Sequence, residues 1–205
     1  RALLGDEAIG YKEEGSYELF TADQKENYDF CLARLDDLNS KLKHLTGIEK
    51  VFINDNKICK KAGFKKFENA IRHGAEGQIN TGEMMKSLLA LAQTEGVQIL
   101  NSIEAKSIKK RKLLTNIGPI KFEKLVVCTN GFAKSLLLKE DVQPARAQVI
   151  VSSPIKNLPF KGIYHFDEGY YYFRNIGDRV LFGGGRNLNI KGETTTELKT
   201  TKEIT

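Results

Sequence analysis

The sequence predicts a mixed α/β fold, with one αβ unit set between two stretches of other architecture. Three observations predict it. Residues 22–47 repeat apolar side chains every three or four positions. Residues 75–131 run from a helical pattern into short strands and one continuous apolar strand, and from Gln143 onward apolar and polar residues alternate. At 205 residues, 40% hydrophobic and 28% charged, the chain has the apolar content for one sizeable core or two small ones.

In chain order, "GYKEEGSYELFT" (10–21) places turn residues around short β-prone pieces. The stretch "ADQKENYDFCLARLDDLNSKLKHLTG" then spaces Tyr28, Leu32, Leu35, Leu38, Leu42 and Leu45 as the stripe of one amphipathic helix, stopped by Gly47. His44 in its last turn reads as a solvated partner of the helix dipole. In "EGQINTGEMMKSLLALAQTEGVQIL", Thr81 is the expected cap, Met84, Met85, Leu88, Leu89 and Leu91 form the apolar face, and Gly96 ends the helix. "VQIL", "EAKSIKK", "KLLTNIGPIKF" and "KLVVCTNG" follow as four strands. "LVVC" lacks alternation, as expected of a strand buried on both faces, and it ends at Thr129-Asn130-Gly131 before a helix-like "FAKSLL". The pieces "RAQVIVSS", "GIYHF", "GYYYFRN" and "DRVLFGGG", with turns at "PIKNLP", "DEG" and "NIGD", have the pattern of an antiparallel meander.

The bulk numbers rank the function classes. A net charge of +6 and a pI near 9.1 invite a nucleic-acid reading, but the lysines are dispersed and the densest cluster, Lys109-Lys110-Arg111-Lys112, reads as a hairpin tip, so no nucleic-acid partner is expected. Cys31, Cys59 and Cys128 are odd in number with no CxxC pair, which points to neither a disulfide framework nor a metal site and makes a reducing cytoplasm the simplest location. No apolar run approaches about 18 residues, so no membrane span is expected. The start at Arg1 and the helix-opening pattern "TTTELKTTKEIT" predict that both ends are cut from a longer chain. The glycines Gly183 to Gly185 open no helix, and Leu188 stands where a Gly-x-Gly-x-x-Gly run needs its third glycine, so they are not read as a phosphate cradle.

Taken in order, "EGQINTGEMMKSLLALAQTEGVQIL", "EAKSI", "GPIKFEKLVVCTNGFAKSLL", "VQPARAQVIV" and "GYYYFRNIGDRVLFGGG" resemble the FAD-dependent amino-acid and amine oxidoreductase family that includes glycine oxidase and D-amino-acid dehydrogenases. The "GYYYFR…DRVLFGGG" ending is most similar to amine-oxidising members such as gamma-glutamylputrescine oxidase. The likeness runs from Gly10 to Arg186 and is strongest from Ala75. It implies a partial FAD-binding Rossmann-like αβ unit over 75–140, combined with a substrate domain made of 1–74, which holds the amphipathic helix, and the antiparallel sheet of 141–205. The family's βαβ unit, whose Gly-rich turn holds the pyrophosphate, is not in this sequence. FAD is therefore expected in the complete protein, weakly or not at all in this stretch alone, which would then be inactive.

The resemblance also implies site residues. Ala105, where the family usually has valine, falls at the backbone contact to the adenine end of the cofactor. Thr129, Asn130 and Gly131 fall where the strand end meets the dinucleotide, although Gly131 also suits a plain strand-to-helix turn. In "PARAQ", Arg146 and Gln148 match the strand that enters beside the flavin ring, while Ala147 replaces its usual glycine; an ordinary surface role for Arg146 stays open. Tyr170 and Tyr172, on one face by the period-2 rule, and Arg174 and Arg186 are the substrate-side candidates, arginine suiting a carboxylate by its planar fork. Tyr164, Phe166, Tyr170 and Tyr172 are expected to form an aromatic wall that disfavours the ammonium form of an amine, with His165 a candidate proton acceptor. Gly183 to Gly185 would leave room for a ring or ligand, with Arg186 at the rim.

The implied reaction is oxidation of a C–N bond by hydride transfer to FAD, as an oxidase or dehydrogenase acting on a small amine or amino acid. The flavin carries that chemistry, so no catalytic triad or acid pair is expected, and none is legible. Two rivals remain: a non-catalytic binding module with this fold, and a basic nucleic-acid binder. The catalytic residues, substrate, electron acceptor and oligomeric state stay open.

Overall fold

A computed structural model describes residues 1–204. The chain divides into two compact units, one of Arg1–Leu91 with Gln148–Gly185, the other of Ala92–Ala147 with the residues from Arg186 onward.

The first unit is built on a seven-stranded sheet. Its strands are β1 (Ser16–Thr21), β2 (Phe52–Asn54), β3 (Phe67–His73), β7 (Val149–Val151), β8 (Ile163–Phe166), β9 (Tyr171–Ile176) and β10 (Arg179–Gly184), in the spatial order β2-β3-β1-β8-β9-β10-β7. The expected meander is present as β8-β9-β10 with β7 on its edge. Every pairing is antiparallel except β1 with β8, which run parallel and join the early strands to the late ones.

Pleating sends alternate side chains to opposite faces. One face carries Tyr17, Leu19, Ala70, Tyr164 and Phe173, packed with Cys59 of α3 (Lys57–Lys61) and with Phe64 and Phe160. The Tyr164 ring stacks on Phe173 at 4.9 Å and on Tyr17 at 5.2 Å, while Phe64 meets it edge-on at 5.2 Å. Such pairs add about 0.5–1.5 kcal/mol each beyond the area they bury. On the other face, Phe20 and Ile71 pack under Tyr28 and Leu35.

The single helix expected over 22–47 is two. A 3-10 turn (Ala22–Gln24) leads into α1 (Lys25–Leu32), and α2 (Leu35–Thr46) follows after a break. The Arg34 side chain explains the break. Its Nη1 donates to the Phe30 carbonyl at 2.9 Å and its guanidinium lies 3.3 Å over the Phe30 ring, while its backbone N–H turns to Cys31. The Phe30 carbonyl that would continue the helix thus accepts from the Arg34 side chain instead of the Arg34 N–H. Past the break the buried stripe is Leu35 and Asn39, not Leu38, and Leu45 is 81% exposed. Asn39 is held because its amide bonds both the N–H and the C=O of Phe52, each at 2.8 Å. Gly47 ends α2 in the left-handed region as expected. The helix α4 (Thr81–Thr94) is capped by Asn80, whose side-chain oxygen accepts from the N–H groups of Gly82 and Glu83; Thr81 is its first helical residue and not its cap.

The second unit holds a three-stranded antiparallel sheet of β4 (Ala105–Lys109), β5 (Lys112–Thr115) and β6 (Gly118–Lys121). The basic cluster is a hairpin tip as read, with Lys110 at φ 54. Two expected strands are not formed: residues 97–100 and 125–128 carry no ladder, and Val126 is 81% exposed. A strand buried on both faces needs a ladder partner, and none within this unit pairs with "LVVC". The helix-like "FAKSLL" is a 3-10 helix over Asn130–Ser135.

Candidate functional site

In the first unit the helices α1, α2 and α3 pack on β1, β2 and β3. The β8–β10 part of the sheet face opposite the aromatic core therefore has its own character. Register carries one row of residues across four strands there: Glu18 on β1 opposes His165 on β8, which opposes Tyr172 on β9, which opposes Gly183 on β10. Directly opposed residues share a face.

Each member is positioned by its neighbours. Gly183 has no side chain because the Tyr172 ring occupies that space: a β-carbon there would stand 2.5 Å from the ring. Gly184, at φ 129, leaves no room between itself and the Tyr170 carbonyl, which accepts the Gly185 N–H at 3.3 Å. The room expected for a ligand at the triple glycine is thus filled by the protein's own tyrosine strand. Tyr170 lies just before β9 and is half exposed, while Tyr172 is half-buried within it.

The aromatic wall expected from Tyr164, Phe166, Tyr170 and Tyr172 does not assemble as one surface. Tyr164 and Phe166 pair with Phe173 and Tyr171 and point into the core, whereas Tyr172 shares the opposite face with His165. Tyr164 is 0% exposed, donates its O–H to the Lys161 carbonyl at 3.0 Å, and is pushed far above the usual phenol value by burial. Arg174 lies two residues along β9 from Tyr172; its Nη1 donates to the Ile79 carbonyl at 2.9 Å and to Gln78 Oε1 at 3.2 Å. Gln78 in turn donates to Glu14. Gln148 is buried, and its carbonyl accepts from Gly184 at 3.4 Å.

Glu18 and His165 form the floor of a cleft of about 410 Å³, walled by Asn27, Phe30 and Cys31 of α1 and by Asp167–Gly169 of the β8–β9 turn. Burial pushes the Glu18 carboxyl up to about 7. Burial also lowers His165, with Glu76 acting in the opposite direction. Sequence reasoning missed Glu18: its only local mark is a carboxylate inside the strand "SYELFT", and nothing near it announces a histidine that arrives with β8.

In the second unit, Asn130, Gly131 and Arg146 are brought together around a hollow of about 430 Å³ that Thr195 and Thr196 also line; Thr129 and Ala105 are outside that lining, at the preceding residue and at the start of β4. The Asn130 amide and the threonine hydroxyls fit hydrogen bonding to a polar cofactor edge. Arg146 does not offer a free charge. Its guanidinium grips the buried Glu193 with two bonds, at 2.9 and 2.8 Å, and also donates to the Glu197 carbonyl at 3.1 Å. Arg186 is exposed at the start of a 3-10 turn (Arg186–Leu188). Among the described residues no cluster of three or more His, Cys, Asp or Glu side chains could hold a metal ion, and no helix is long and apolar enough to cross a membrane.

Comparison with known proteins places this arrangement. The family model described as FAD dependent oxidoreductase matches residues 1–204. No curated protein sequence matches the chain. Among solved structures it is similar to L-proline dehydrogenase from P. horikoshii (TM-score 0.70, 18% identity, covering 97% of this chain and 55% of that one). It is similar also to glycine oxidase from Bacillus cereus ATCC 14579 (TM-score 0.66, 20% identity, 85% and 48%) and to glycine oxidase from Geobacillus kaustophilus (TM-score 0.64, 16% identity, 96% and 52%). The chain spans about half the length of each.

Proposed function

This chain belongs to the FAD-dependent oxidoreductase family, and on that premise we propose that the protein oxidises the C–N bond of a small amine or amino acid to an imine. The observation that carries this reading is the row Glu18, His165, Tyr172 and Gly183, which sets two titratable groups and an aromatic ring side by side on one face of one sheet. Bound FAD supplies the hydride acceptor. The chain's own residues bind and orient. Tyr170 and Tyr172 form the apolar side of the substrate site, and Arg174, held by Gln78 and the Ile79 carbonyl, fixes the β9 backbone behind them. Arg186 is the candidate carboxylate partner for an amino-acid substrate. Asn130 and Gly131, which line the hollow of the second unit, would hold the cofactor, with Thr129 and the Ala105 backbone as further candidates implied by the resemblance. Arg146 and Gln148 keep the strand leading into β7 in place, Arg146 through Glu193. On this reading residues 75–140 belong to the FAD domain, and 1–74 with 141–205 to the substrate domain.

The test is a flavin titration of the full-length protein. Purified with FAD, it should show flavin absorbance that bleaches anaerobically with at least one of glycine, L-proline and putrescine. Absence of bleaching by amines and amino acids of every size tried sinks the reading.

A further inference from the structure

We infer that Glu18 and His165 act as one proton-holding couple that takes the ammonium proton of the substrate amine, a role that rests on the reaction proposed above. The two residues are directly opposed in the only parallel pairing of the sheet, so their side chains leave the same face of neighbouring strands, about 4.8 Å apart at the backbone. Both are half-buried on the floor of the 410 Å³ cleft, beside Tyr172. No lysine or arginine lines that cleft, and among the described residues Glu18 has no ion pair and no side-chain hydrogen bond.

The surrounding groups set how the couple titrates. Asp167 and Glu168 face it from the β8–β9 turn, and Cys31 faces it from α1, its thiol pushed up by burial and by the Glu18 charge, with Arg34 opposing. Glu76 acts on His165. From β3 and β9 the direct neighbours are Ile71 and Tyr172. Glu18 and His165 share the cleft floor on adjacent strands, so a proton taken by either stays beside the other. An ammonium entering the cleft loses its N–H proton as an O–H bond forms on Glu18 or an N–H bond on His165. The amine keeps the lone pair that hydride departure from the adjacent carbon requires, and the proton leaves through the cleft mouth to water. No electrons move in this step.

The test uses the full-length protein with FAD bound and whichever of glycine, L-proline and putrescine reduces the flavin fastest. In Glu18→Gln, and more so in Glu18→Gln with His165→Asn, anaerobic flavin reduction should fall at least about tenfold at pH 7. The defect should close to within about twofold by pH 10, where amines begin to lose the proton unaided. A defect of equal size at every pH, or none at pH 7, overturns the couple while leaving the reaction intact. If no amine or amino acid tried reduces the wild-type flavin, the reaction reading fails, and the His165 ring resonances decide the couple separately. These should titrate in two steps in the wild type and in one step in Glu18→Gln; a single step in both overturns it.

Discussion

A β-carbon added at Gly183 would meet the Tyr172 ring at 2.5 Å, so Gly183→Ala should cost about 1–3 kcal/mol in a urea melt, the usual range for overpacking. In a Tyr172→Ala background the same change should cost much less, and equal costs in both backgrounds would remove Tyr172 as the cause. The triple glycine was legible as a strand end and not a phosphate cradle, because Leu188 and the lack of a following helix are local facts. Its occupant was not legible, since that depends on the β9–β10 register. Glu18 makes a second prediction. The unfolded chain gives up this proton near 4.5 and the folded chain near 7. Its contribution therefore favours folding most below pH 4.5 and is lost as pH rises to about 7, by about 1–3 kcal/mol for a partly open site. His165, lowered by burial, acts with the opposite sign and costs stability as pH falls below 6.5. Melting midpoints should show Glu18→Gln gaining on the wild type between pH 5 and pH 8; an unchanged gap would mean that Glu18 ionises normally.

At the scale of elements, periodicity found both amphipathic helical regions and all four pieces of the meander, which are long or strongly alternating. It failed where a side chain or a missing partner decides. The 3.6 spacing runs unbroken through Ala33 and Arg34, and the backbone breaks where the Arg34 guanidinium is seated on the Phe30 carbonyl. The same spacing favours Leu38 over Asn39, yet Asn39 is the buried residue because β2 offers it a donor and an acceptor. Asn39→Leu, more apolar but unable to answer Phe52, should destabilise the protein by about 1–3 kcal/mol in chemical denaturation; a neutral result would show that the two Phe52 bonds add nothing. "LVVC" was read as a buried strand from its composition, which is sound for a strand with neighbours. Among the described residues it has none, and composition does not report neighbours.

For the whole molecule, the fold class followed from the order of the pieces, and so did the family. The candidate site did not, because its floor joins Glu18 and His165 across the lone parallel pairing. Tyr170 and Tyr172 were placed on one face by simple alternation, and Tyr164 and Phe166 were grouped with them until register set them in the core. The β1–β8 pairing also has a temporal side. β1 lies in the interior of the seven-stranded sheet, yet the strand that covers its flank is made roughly 150 residues later. At ribosomal rates of about 5–20 residues per second, an interior strand carrying Tyr17, Leu19 and Phe20 must wait on the order of ten seconds, with one edge bare, for the neighbour that completes it. During that interval the nascent chain, and not the finished protein, is the form that exposes an unpaired strand edge to aggregation.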